Sequence, residues 1–149
     1  MSTLDDSDDI RAIGAIIARQ FGAMNWSPDA PPDWGAFAAD FLPGAHLFPA
    51  ARPAAARTAE DFVERMESLA GSSLRSFAQT VLGTEIQVFG NVAVAMGACE
   101  NIENGTDVVR GVEAFLLVKD DGAWRIASQA WDTESDSARI PDRLLEKKS

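Results

Sequence analysis

The sequence has 149 residues, 46% hydrophobic and 24% charged, which suffices for one domain with a sizeable core and is too short for two. It carries 13 Lys and Arg against 23 Asp and Glu, and a formal net charge of -10 repels polyanions, so nucleic acid and anionic membrane are poor partners. A single cysteine, Cys99, and a single histidine, His46, exclude an internal disulfide and a four-ligand Cys/His zinc site; no metal or other cofactor is expected.

No apolar run approaches the roughly 18 residues of a membrane span. The acidic start (Asp5, Asp6, Asp8, Asp9) has the wrong sign for a secretory signal, so a cytoplasmic location is expected. From Asp8 onward Ile10, Ile13, Ile17, Phe21 and Met24 recur at helical spacing, which predicts an amphipathic helix with Ser7 as N-cap and Asp8 and Asp9 favoured by the helix dipole. Pro28, Pro31 and Pro32 make the following stretch a loop. Asp33 can cap a short second helix bearing Trp34, Phe37 and Phe41, with Pro43-Gly44 as its stop. Ala45 to Pro49 reads as a brief strand, and Ala50 to Arg57 as an irregular edge. Thr58-Ala59-Glu60-Asp61 has the form of a capping box, opening a third helix with Phe62, Met66 and Leu69 that Gly71 closes.

Beyond Ser73 the period changes to two, with strand-like runs at Leu74 to Phe89, Val92 to Ile102, Val108 to Lys119 and Trp124 to Thr133. Gly90-Asn91, Asn104-Gly105 and Asp121-Gly122 separate the runs and supply the positive φ of tight hairpins. Strands this long should bend, helped by bulges near Gly83 and Gly97. Helices followed by a meander predict an α+β domain, with three N-terminal helices packed on a strongly curved, mostly antiparallel sheet. The expected organisation is an acidic N-terminal tail over 1–7, one domain over 8–134, and a polar, partly mobile C-terminal tail over 135–149.

This element order, with Phe41-Leu42-Pro43-Gly44-Ala45 and the hairpin Asp121-Gly122-Ala123-Trp124-Arg125-Ile126, resembles the nuclear-transport-factor-2-like superfamily, nearest its SnoaL-like and ketosteroid-isomerase-like branches. The resemblance implies a cone-shaped α+β barrel enclosing a ligand pocket, and a homodimer formed through the sheet. Trp131 and Phe89, at strand positions otherwise facing outward, support the dimer. Steroid isomerisation of the ketosteroid-isomerase type is disfavoured, because the chain has no tyrosine and Pro49 stands where that base would lie. The charged strand residues Arg75, Glu100, Arg110, Glu113 and Asp132 do not match the Asp-Arg-Asp arrangement of limonene-epoxide-hydrolase-like members.

Strand alternation gives a finer reading. Trp124, Ile126, Ser128, Ala130 and Asp132 share a face taken as the inner one, as do Val92, Val94, Met96, Ala98 and Glu100 on their strand, and Glu113, Phe115 and Leu117 on theirs. Glu100, Glu113 and Asp132 are therefore candidate acid/base carboxylates on otherwise apolar faces, where desolvation raises a carboxyl pKa. The competing and favoured reading is that each lies near a strand end and reaches water. His46 is the fourth candidate, because a pocket histidine does acid/base work in scytalone-dehydratase-like relatives. Phe21, Trp26, Trp34, Phe37, Phe77, Met96, Phe115 and Ser128 are the candidate ligand-binding residues, although a domain of this size needs such aromatics in its core. Cys99 has no cationic neighbour and reads as a small core residue; no nucleophile elbow or nucleotide-cradling glycine motif occurs. The sequons at Asn25 and Asn104 read as loop and turn.

Two functions follow. One is an apolar-ligand pocket protein, acting as a cofactor-free isomerase, dehydratase, cyclase or hydrolase. The other is a non-catalytic dimeric module that binds a ligand or a protein. The proline-rich segment from Trp26 to Trp34 is expected to cover the pocket mouth, or else to plug the core beneath it.

Overall fold

A computed structural model describes residues 6–145; of the expected acidic tail over 1–7 and polar tail over 135–149, residues 1–5 and 146–149 lie outside the described residues. Helix α1 spans Ser7–Ala23 and buries Ile13, Ile17 and Phe21 of the expected stripe together with Ile16 and Gln20, while Ile10, expected on that stripe, is 42% exposed. Its N-cap is Asp6, and Ser7 is already helical. Helix α2, Trp34–Ala39, is capped as expected by Asp33, whose carboxylate accepts from Ala36 N at 3.0 Å. Helix α3, Ala59–Ala70, has both halves of the Thr58/Asp61 capping box and ends at Gly71.

Pro43-Gly44 does not stop α2. The helix ends at Ala39, and strand β1 occupies Phe41–Phe48. The cause lies in Asp40, whose carboxylate is gripped by Arg19 through bonds of 2.9 and 3.0 Å while its carbonyl accepts from Ile126 N at 2.8 Å. Sheet pairing therefore begins at Phe41. Pro43, which has no N–H to offer, falls in a break of register between Phe41 and His46 on an edge strand, where it is tolerated.

Strands β2 (Phe77–Phe89), β3 (Val92–Glu103), β4 (Asp107–Asp120) and β5 (Ala123–Thr133) form the antiparallel meander, and β1 adds in parallel to β5. The order is β1-β5-β4-β3-β2, so the curved sheet keeps two edges and does not close into a barrel. Asp121 and Gly122, at φ of 51° and 78°, make the two-residue turn that joins β4 to β5. One expected bulge is present, between Val81 and Gly83. Gly97 is paired without a break, and its role is clearance: a Cβ there would lie 3.1 Å from Phe21 Cε2.

A second irregularity corrects the facing of β5. Leu117 pairs with Ile126 and Leu116 with Ser128, so Ala127 is an extra residue that resets the alternation. Trp124 and Ile126 point into the core, but beyond Ala127 it is Gln129 and Trp131 that face inward, while Ser128, Ala130 and Asp132 turn outward. On β3 the assignment is reversed throughout. Ala93, Ala95 and Cys99 join the main core, and Val92 and Val94 are about half exposed on the outer face. Small residues face inward because α1 approaches the sheet closely there.

The C-terminal segment packs on that outer face. Ile140 and Leu144, the latter in a short 3-10 helix at Asp142–Leu144, are buried with Ala98 against Leu82, Met96 and Val112. Trp131 is inside and cannot support an outer-face dimer; what remains outside is Phe89, 85% exposed, near Val92, Val94 and Leu116.

Candidate functional site

Between the concave face of the sheet and the three helices lies a cavity of about 280 Å³. Its walls carry Phe37 from α2, Phe62 and Met66 from α3, Phe77 from β2 and Trp131 from β5. Phe62 stacks on Phe37 at 5.3 Å and meets Trp131 edge-on at 5.4 Å, which fixes the aromatic wall. A second, outer compartment of about 390 Å³ shares Phe62, Met66 and Trp131 with the first, so these three side chains form the boundary between them.

Glu113 projects from β4 into this apolar setting. Gln79 Nε2 donates to its Oε2 at 3.2 Å, and Gln129 Nε2 donates to its Oε1. Burial pushes the carboxyl from its ordinary 4.5 up to about 7, against the opposing pull of the Gln129 and Gln79 hydrogen bonds, which favour the ionised form. The group is poised between its acid and base forms at neutral pH, as a proton-transfer catalyst requires. Cys99 lies beside it and receives Gln79 Nε2 at 3.7 Å. Burial first, and the Glu113 charge second, push its thiol up to about 12, so it is no nucleophile.

The cavity also collects unpaired polar atoms. Gln20 Oε1, Asn101 Oδ1 and Gln129 Oε1 are buried without a hydrogen-bond partner, and all three residues line the cavity. Gln20 cannot relieve this by turning its amide, because its Nε2 already donates to Phe37 O at 2.7 Å. Gln20 comes from α1, Asn101 from β3 and Gln129 from β5, so amide oxygens from both the helix side and the sheet side can accept from a donor that enters the cavity.

Of the four candidate carboxylates and imidazoles, only Glu113 lines the cavity. Glu100 lies on the outer face in an ion pair with Arg110 at 2.9 Å. Asp132 is exposed and accepts from Thr133 N at 2.8 Å. His46 is exposed on β1. Among the candidate ligand-binding residues, Phe37 and Phe77 line the cavity. Phe21 and Phe115 pack edge-on at 6.5 Å in the core beside it, Met96 lies under the C-terminal segment, and Ser128 faces outward. Trp26 does not cover the mouth: it is 5% exposed, stacks on Phe77 at 5.1 Å and donates from Nε1 to Leu74 O at 2.9 Å. Trp34 packs against it at 5.6 Å, which is the core-plug arrangement.

Gln20, Gln79, Asn101, Gln129, Met66 and Trp131 were missed. Amides carry no motif, and only the alternation of β2 and a bulge-corrected β5 would have placed Gln79 and Gln129 beside Glu113. Among the described residues no cluster of three His, Cys, Asp or Glu could hold a metal ion, and no helix is long and apolar enough to cross a membrane.

No protein-family model and no curated protein matches the sequence. Solved structures do match it. A hexachlorocyclohexane dehydrochlorinase from Novosphingobium barchaimii superposes with a TM-score of 0.72 at 13% identity, over 90% of this chain and 92% of that one. A candidate scytalone dehydratase from Novosphingobium aromaticivorans gives 0.68 at 17% identity, over 87% of each chain. A protein of unknown function from Silicibacter pomeroyi, described as nuclear-transport-factor-2-like, gives 0.63 at 20% identity, over 88% of this chain and all of its own. Three helices against a curved, open, mixed sheet, matched over nearly the whole chain to such structures, identify this as the nuclear-transport-factor-2-like fold.

Proposed function

We propose that the protein is a cofactor-free proton-transfer enzyme that binds a small, mostly apolar molecule in the inner cavity and uses Glu113 as general base and then general acid. The observation that carries this reading is one buried carboxyl, raised to about 7 and held at both oxygens by Gln79 and Gln129, in an aromatic cavity of about 280 Å³. Ionised Glu113 takes a proton from the substrate. The electron pair of the broken C–H bond then forms a double bond as a leaving group departs with its own pair, or stays to be reprotonated at another carbon. The two glutamines keep the carboxylate oriented through the step.

Elimination fits the cavity better than isomerisation. No basic side chain lines it, and Gln79 Nε2 and Gln129 Nε2 each already donate to Glu113, so no cationic group is at hand to hold an enolate. The structural neighbours named as a dehydrochlorinase and as a candidate dehydratase support the same class. The exposed patch of Phe89, Val92, Val94 and Leu116 supports pairing of two copies through the outer face; light scattering that gives a monomer mass at micromolar concentration would remove that part.

The test uses a nitrobenzisoxazole, whose ring opens when a desolvated base removes its carbon-bound proton. The rate should rise with pH through an inflection near 7 and fall to the solution background in Glu113→Gln. Equal rates in Glu113→Gln and the parent at pH 8, with both proteins folded, would overturn the assignment and leave a binding protein without chemistry.

A further inference from the structure

The two compartments differ in charge. Among the residues lining the inner cavity the only ionisable side chains are Glu103 and Glu113, and none is basic. The outer compartment is lined by Arg57 and Arg65 with one carboxylate, Asp61. Asp61 is committed to the start of α3, where its Oδ2 receives Thr58 N at 3.5 Å.

Both arginines are exposed, and among the described residues neither guanidinium has an ion-pair or hydrogen-bond partner. Among the described residues the other basic side chains have partners except Arg75: Arg52 and Arg125 donate to backbone carbonyls. Arg11, Arg19, Arg110, Lys119, Arg139 and Arg143 are all paired with carboxylates, as expected where acids outnumber bases 23 to 13. The two arginines are also placed by structure. Arg57 exchanges both backbone hydrogen bonds with Leu47 of β1, at 2.8 Å each, and Arg65 is on the face of α3 that carries Phe62 and Met66.

We infer that the ligand is an amphiphile, whose anionic head is held by Arg57 and Arg65 in the outer compartment while its apolar body passes Phe62, Met66 and Trp131 to reach Glu113. The inference rests on the reading of the inner cavity as the substrate pocket and adds the ligand's class and orientation. An anion is disfavoured inside, where it would meet Glu113 and Glu103 with no cation lining the cavity. At the threshold a guanidinium offers planar, paired donors to a carboxylate, phosphate or sulfonate. The gradient thus admits the molecule one way round, apolar end first.

Two dyes with one skeleton test it: anilinonaphthalene sulfonate, which is anionic, and phenylnaphthylamine, which is neutral. The sulfonate should bind the parent more tightly. Arg57→Ala combined with Arg65→Ala should weaken it by about tenfold and leave the neutral dye within twofold. Arg75→Ala is the control, since Arg75 is exposed and away from both compartments, so its loss changes net charge by one without touching the threshold. Naphthoate and naphthyl phosphate as competitors tell a carboxylate head from a phosphate head. The proposal is overturned if the neutral dye binds as well as the anionic one, if neither binds, if neither competitor displaces the sulfonate, or if Arg75→Ala weakens the sulfonate as much as the double variant does. Dye binding needs no proton transfer. Loss of the nitrobenzisoxazole reaction with the arginine dependence intact therefore counts against the proton-transfer reading alone, and dye binding indifferent to the arginines counts against this inference alone.

Discussion

The two ends of the concave face are built from the same strands and differ in what fills them. At the closed end α1 lies against the sheet so tightly that Gly97 leaves room for Phe21, and Phe21, Phe115, Leu117 and Ile126 are almost wholly buried. At the open end the strands continue, but their inward positions hold Gln79, Asn101, Glu113 and Gln129, which border the inner cavity. The first end is optimised for packing. The second sets polar side chains around a cavity, an arrangement that packing alone does not call for.

The sharpest way to break this comparison is at its closed end. Phe21→Ala should cost about 3–5 kcal/mol of unfolding free energy, because it removes a ring from a site with no room to rearrange. Phe62→Ala at the open end should cost no more than about 2 kcal/mol, because one side of that ring already borders a void. Equal losses in denaturant unfolding would erase the distinction.

A comparable effect comes from pH. Glu113 has its folded pKa raised, from 4.5 to about 7, so between these values the native state binds more protons than the unfolded chain and stability must fall as pH rises. The loss should reach on the order of 3 kcal/mol by pH 8 and then level off. Glu113→Gln should lack this component, and the difference between the two pH profiles isolates it from the general repulsion of an acidic chain. A parent and a variant that lose stability in parallel from pH 5 to pH 8 would show that the carboxyl is not desolvated.

The fold was legible because its boundaries are written in local chemistry: Asp33 and Thr58 as caps, Gly71 as a stop, Asp121-Gly122 as a turn. Each acts within a few residues, so no tertiary information is needed. The site was legible at Glu113, whose strand keeps Phe115 and Leu117 on the same inward face, and at Phe37 and Phe77 on the cavity wall. Elsewhere alternation failed for two different reasons. On β5 the extra residue at Ala127 reversed the faces beyond it, and a bulge leaves no mark in the hydrophobic pattern. On β3 the more hydrophobic set, Val92, Val94 and Met96, faces outward: close approach by a helix selects small inward residues, and the C-terminal segment covers Met96 while Val92 and Val94 stay half exposed. Hydrophobicity alone cannot tell these situations apart.

The short helix at Asp142–Leu144 has a practical bearing on how the protein is handled. Neighbours along β3 and β4 serve opposite sides of the sheet, with Cys99 and Glu113 turned toward the helices while Ala98 and Val112 rest against Ile140 and Leu144. The floor beneath Glu113 is thus a single strand layer with the C-terminal segment as its underside. Trimming the chain before Ile140 for crystallisation strips that underside, and any change in the Glu113 titration seen in such a truncated protein would belong to the cut rather than to the site.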